Sequence, residues 1–180
     1  MKRIAIITGS ARPNSVNSVV SNLVLKIIKK YPELKGEIID INKINLPYFD
    51  APAPPASPHF QTNHKEVETW RQKIKESDGI ILVMPEYNHS MTAIQKNAID
   101  WLYFEWKDKP VTVVTYGSNA GKFALETFDR VGNNVKMKIV EPFAQFKLGD
   151  KIGWDGAIND QQFVDQEISK SITALAKNIS

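Results

Sequence analysis

The donor-rich segment Gly9-Ser10-Ala11-Arg12-Pro13-Asn14-Ser15-Val16-Asn17 separates an apolar run from an amphipathic stripe. Two serine hydroxyls, a guanidinium and a side-chain amide can all donate to one anion, and Gly9 permits a tight turn. Such a segment, between a buried strand and the start of a helix, has the chemistry of a phosphate cradle. Free N–H groups and the positive helix end add to the side-chain donors there. No Gly-Lys-Ser/Thr follows, so it is not a nucleoside-triphosphate loop; the three spaced glycines of a dinucleotide fingerprint are also missing. A monophosphate fits better. Ser15 is also a plausible helix N-cap and Arg12 a solvated side chain, but capping does not account for the convergence of Ser10, Arg12, Ser15 and Asn17.

Two further loops carry groups suited to a flat, hydrogen-bonding ring. The first is Pro85-Glu86-Tyr87-Asn88-His89-Ser90 and the second Tyr116-Gly117-Ser118-Asn119-Ala120-Gly121. Pro85 stiffens the first; small residues in the second let a ligand approach backbone. Glu86 has the chemistry of a general acid, yet a carboxylate in a structural or intersubunit contact is the favoured reading. His59, His64 and His89 lack metal-ligand spacing, and of these only His89 falls beside the ring loop. Lys122 reads as solvated and Trp101 as buried or at a subunit contact. No acid–base pair or triad stands out.

The elements that must position these loops follow from periodicity. Continuous apolar runs predict strands buried on both faces at Lys2 to Thr8, Gly79 to Met84 and Val111 to Thr115. Weaker strands are expected at Glu37 to Ile41, with Gly36 as punctuation, and at Lys138 to Val140. Helical stripes run through Val16, Val20, Leu23 and Ile27, through Val67, Trp70 and Ile74, and from about Ala93 to Phe104. Two more cover Gly121 to Val131 and Val164 to Ile179. Strands alternating with helices imply crossovers and a parallel sheet with helices on both faces, in one domain over 1–180. Parallel strands point the same way, so all three loops share one sheet edge, where open α/β sheets bind ligands. The proline-rich segment Lys43 to Asn63 stands apart and is expected to be a surface excursion or a cover for a site or an interface.

Composition excludes several classes. The chain of 180 residues has no cysteine, hence no disulfide, thiolate nucleophile or Cys-ligated metal. No apolar run approaches the ~20 residues of a membrane span, and the N-terminal run is too short for a signal-peptide core. A cytoplasmic setting, with neither membrane nor nucleic acid as partner, is the expectation. The net charge of +3 is dispersed, with no lysine cluster longer than Lys29-Lys30.

Three segments in order, Gly9-Ser10-x-Arg12-x-x-Ser15-x-Asn17, Pro85-Glu86-Tyr87-Asn88-x-Ser90 and Lys96-Asn97-Ala98-Ile99-Asp100-Trp101, closely resemble the NAD(P)H-dependent FMN reductase family, which includes quinone, azo-dye and chromate reductases. The resemblance runs from the first strand to about Val131. It implies a flavodoxin-like three-layer sandwich with a five-stranded sheet of order 2-1-3-4-5, non-covalent FMN, NADPH or NADH as donor, a small-molecule acceptor, and homodimers or homotetramers. It assigns Ser10, Arg12, Ser15, Val16 and Asn17 to the FMN phosphate. Pro85, Glu86, Tyr87 and Asn88 would line the ring, chiefly through backbone, and Tyr116, Gly117 and Ser118 would close its other side. Two positions depart from the family pattern: Thr92 stands where a proline is common, and Ser118 and Ala120 dilute a glycine-rich loop. The implied activity is hydride transfer from nicotinamide through FMN to the acceptor, with backbone N–H groups stabilising charge on reduced flavin. An electron carrier reduced by a partner protein, or a flavin-binding sensor, is the alternative; the basic balance suits anionic dinucleotides better than it suits a carrier.

Overall fold

A computed structural model describes residues 1–179. Its sheet has the order β2-β1-β3-β4-β5, with a sixth strand, β6, also paired to β4. The strands are β1 (Lys2–Ile7), β2 (Leu34–Ile39), β3 (Gly79–Pro85), β4 (Pro110–Gly117), β5 (Lys138–Ile139) and β6 (Ala144–Lys147). The helices are α1 (Val16–Ile28), α2 (Ile41–Ile44), α3 (Lys65–Lys75), α4 (Ala93–Asp100), α5 (Lys122–Asn134) and α6 (Gln161–Asn178). All ladder pairs are parallel. This is the expected flavodoxin-like arrangement.

Strands β3 and β4 are buried along their whole length, which is why they read as unbroken apolar runs. Alternate residues serve opposite faces. Ile4, Ile6, Ile81, Val83 and Val114 pack with Val20, Val24 and Ile27 of α1 and Ile168, Ile172 and Leu175 of α6. Ala5, Ile7, Ile80, Leu82 and Val113 pack with Trp70 and Ile74 of α3, Ile99 of α4 and Phe128 of α5. Each fully buried aliphatic side chain contributes roughly 1.5–3 kcal/mol. Trp70 and Trp106 meet edge-on at 5.9 Å, and their indole N–H groups donate to Ala98 O (2.7 Å) and Ile99 O (3.1 Å). No helix among the described residues is long and apolar enough to cross a membrane.

The structure corrects several expected boundaries. Strand β2 ends at Ile39, and Asp40 then caps the one-turn helix α2 by accepting from Asn42 N at 3.1 Å. The polar–apolar alternation of an edge strand is weak, and the cap was hidden in what reads as strand. Gly36 lies inside β2, not before it; a Cβ there would stand 2.9 Å from Leu25 Cδ1, so glycine lets α1 pack closely. Helix α4 ends at Asp100 and not near Phe104. The expected fifth strand, Lys138 to Val140, is β5 and ends at Ile139; beyond Pro142, which has no N–H to give a ladder, follows a strand not expected from the sequence. This strand, β6, alternates buried Ala144 and Phe146 with exposed Gln145 and Lys147.

The proline-rich segment is fastened to α4. Asn97 Nδ2 and Trp101 Nε1 both donate to Pro47 O at 2.8 Å, and Phe49 N donates to Asn97 Oδ1 at 3.0 Å. Phe49 and His64 each meet the Trp101 ring edge-on, at 4.9 and 5.6 Å. Leu46, Phe49, Ala51 and Phe60 add to the core on this face. Asn97→Ala removes two of these bonds and leaves Phe49 N unpaired, so it should lower unfolding stability by about 1–3 kcal/mol. Urea denaturation, with limited proteolysis of 43–63, checks this; an unchanged midpoint and an uncut segment would contradict the clamp.

Candidate functional site

At the carboxyl edge of the sheet the three central strands are tied together by Asn17. Its Oδ1 accepts from Gly9 N (2.9 Å), and its Nδ2 donates to Val83 O and to Tyr116 Oη, both at 3.0 Å. Asn17 is 2% exposed. Its side chain is thus occupied by the protein, and what it can offer an anion is its backbone N–H in the first turn of α1. Gly9 must be glycine here, since a Cβ would lie 2.4 Å from Val83 O.

The expected phosphate loop curls over this knot. Ser10 Oγ shares a hydrogen bond with Tyr87 Oη at 2.8 Å and accepts from Arg12 N at 3.2 Å. Asn42 of α2, which sequence reasoning missed, donates to Ser10 O at 2.7 Å. Ser15 stands at the N-cap of α1, yet its side chain makes no capping bond, and the first turn carries no acidic residue. Arg12 makes no ion pair among the described residues. A helix start without a side-chain cap, with a free guanidinium and a hydroxyl beside it, is the donor set a phosphate monoester requires. Helix α3 differs: Glu66 and Glu68 occupy its first turn, which disfavours an anion.

The ring loop is a tight hairpin. Tyr87 and Ser90 exchange both backbone hydrogen bonds at 3.0 Å, and Asn88 and His89 between them have φ of 49° and 59°. Positive φ at both central residues is the I′ pattern, which leaves their N–H groups outside the paired bonds. Glu86 N donates to Tyr116 O at 3.0 Å, and Glu86 Oε2 accepts from Phe123 N at 2.9 Å. The carboxylate therefore caps α5, whose N-cap, Gly121, has no side chain to do so; the structural reading of Glu86 holds, within the chain. His89 stacks on Phe123 at 4.2 Å. Burial holds the Tyr116 phenol above its ordinary range, with the Asn17 bond and the Arg12 charge pulling the other way. Tyr116 is thus a neutral phenol whose oxygen accepts from Asn17 and whose own O–H remains available.

Arg12, Ser15, Val16, Pro85, Glu86, Tyr87, Tyr116, Gly117 and Ser118 line one cavity of about 240 Å³. Ser10 and Asn17 line an adjoining cleft of about 450 Å³ that shares Arg12, Asn14 and Ser15 with the first. Asn88 is exposed at the hairpin tip and lines neither. Leu148 and Trp154 form a further wall that periodicity did not reveal, because they follow the unexpected strand β6. A larger groove of about 700 Å³ beside β2 borders the start of α3, which also lacks a side-chain cap but carries Glu66 and Glu68 in its first turn; neither this groove nor one of about 850 Å³ along α6 includes the hairpin. Asn17→Ala deletes three buried bonds at the knot and should destabilise the fold by about 2–4 kcal/mol. A urea midpoint that does not move would show that the strand ends hold without it.

Residues 2–148 match the family model described as NADPH-dependent FMN reductase. An NAD(P)H-dependent FMN reductase of a Nectria species is 38% identical over 165 residues, covering 89% of this chain and 82% of the relative. An NADPH:quinone oxidoreductase of Arabidopsis thaliana is 34% identical over 123 residues, covering 66% of this chain and 60% of the relative. The solved flavoenzyme NAD(P)H:(acceptor) oxidoreductase FerB of Paracoccus denitrificans shares the fold, with a TM-score of 0.76, 23% identity and full coverage of both chains. Sequence, fold and the geometry of the strand edge agree, and the chain belongs to the NADPH-dependent FMN reductase family.

Proposed function

We propose that this chain, as a single FMN-binding unit, holds the FMN phosphate at the start of α1 and the ring between the Pro85–Asn88 hairpin and the Tyr116–Ser118 turn, and that it reduces quinone-class acceptors with NAD(P)H. The observation that carries this is the uncapped, acid-free first turn of α1 facing an unpaired Arg12 within reach of the hairpin. When bound, FMN supplies two-electron chemistry between a reduced nicotinamide and a small acceptor.

The chain's own residues supply position and charge. Ser10, Arg12, Ser15 and the backbone N–H groups of Val16 and Asn17 would hold the phosphate. Asn17 keeps that loop in register with β3 and β4 through its three bonds. Glu86 joins the hairpin to α5 and so fixes the spacing of the two ring loops, with its carboxylate accepting from Phe123 N. The backbone donors of the I′ turn and the neutral Tyr116 O–H offer hydrogen bonds to a ring that gains negative charge. The name of the quinone oxidoreductase relative supports the acceptor class.

Adding NADPH without oxygen to the FMN-loaded protein should bleach the flavin's visible absorbance, and naphthoquinone should restore it. Flavin that stays oxidised with both NADPH and NADH would overturn the reading. Arg12→Ala should weaken FMN binding about 10- to 100-fold while leaving riboflavin, which lacks the phosphate, nearly unchanged. Fluorescence titration of both flavins measures it; equal losses would make Arg12 a structural residue.

A further inference from the structure

The last wall of the cavity comes from the turn between β6 and α6, where Trp154 lies beyond the residues that the family model matches. This turn is well fixed. Ile152 is fully buried and bridges to Leu148 and Ile158. Gly149 N donates to Ile152 O (2.8 Å), Gly153 N to Ala157 O (2.7 Å) and Asn159 N to Lys151 O (3.0 Å). Asn159 Nδ2 adds a bond to Asp150 O at 2.7 Å. None of these involves the side chain of Trp154.

Trp154 rests against the backbone of Gly149, where a Cβ would stand 2.9 Å from the indole Nε1. Gly149 has φ of 83°, a backbone conformation that favours glycine. The indole is left 67% exposed, whereas Trp70, Trp101 and Trp106 are each 0% exposed. It lines the cavity together with Val16, Pro85, Tyr116 and Leu148. A large aromatic face kept in solvent on a fixed turn, at the rim of a cavity that also presents Val16, Pro85 and Leu148, is a surface for stacking a flat ring. A compact anion has no face to offer it.

The geometry points to Trp154 as a specificity-determining residue: its indole receives planar aromatic acceptors of the quinone class at the rim, while compact anionic acceptors reach the site without it. This rests on the FMN reading above. The test compares the FMN-loaded wild-type protein with Trp154→Ala and Trp154→Phe. Calorimetric titration of the oxidised protein with 1,4-naphthoquinone, with no donor present, should give roughly 3- to 10-fold weaker binding for Trp154→Ala, the loss expected for one aromatic pair, and recovery in Trp154→Phe. With NADPH added, KM for naphthoquinone should rise by a similar factor, while reduction of ferricyanide stays within about twofold. Unchanged naphthoquinone binding would overturn the proposal. Equal losses for naphthoquinone, ferricyanide and FMN itself would also overturn it, placing Trp154 on the flavin instead. Wild-type flavin that NADPH does not bleach would instead reject the underlying reading, and is seen before any variant is compared.

Discussion

The architecture of the strand edge depends on one buried amide. Asn17 reaches from the first turn of α1 to Gly9, Val83 and Tyr116, and so links the ends of β1, β3 and β4 through one side chain. Those three strands are neighbours in the sheet. Because donors and acceptors are matched with no water needed, the bonds operate in a low-dielectric interior where an unpaired partner would cost most. The consequence is that the first loop, the hairpin and the Tyr116–Ser118 turn are all carried by one set of linked strand ends. Gly9 is the steric complement of the knot, since any side chain there would collide with the carbonyl that Asn17 bonds.

Around this centre, several residues that look chemical serve as supports. Glu86 uses its carboxylate to cap α5. Asn97 and Trp101 hold the proline-rich segment against α4, while Lys96 and Asp100 pair along that helix at 2.7 Å. Asn42, from a helix of one turn, props the carbonyl of Ser10. Such supports matter because a site made of backbone N–H groups and small side chains has no independent rigidity. The electrostatics follow the same division: α1 begins without acidic residues or a side-chain cap, whereas α3 begins with Glu66 and Glu68. Identical backbone dipoles are therefore left uncompensated at one helix start and offset by carboxylates at the other.

The buried strands were legible because burial on both faces demands continuous apolar runs, and β1, β3 and β4 have them. The edge elements were not. Strand β2 is half exposed and its end merges with α2, while β6 is four residues long and follows a proline. Short elements carry too few residues for a period to declare itself, and their placement is decided by the strand they pair with. In the site, the donor residues of the first loop and the hairpin were visible as clusters of suitable chemistry. Trp154 was not, since nothing local to Gly153-Trp154-Asp155 says which cavity it borders.

What the sequence by itself determined is the inventory: a doubly buried parallel sheet, a donor-rich first loop and two small-residue loops on one edge. Those follow from local physics, from hydrophobic period, turn chemistry and the shared direction of parallel strands. The tertiary structure decided how each group is used. Asn17 and Glu86 have the same functional groups whether they face a ligand or the protein, and only their neighbours assign them inward. Ser15 and Arg12 remain outward because no partner in the fold claims them. A side chain's role depends on which partners surround it in space, and for Asn17 those partners lie up to 99 positions away along the chain.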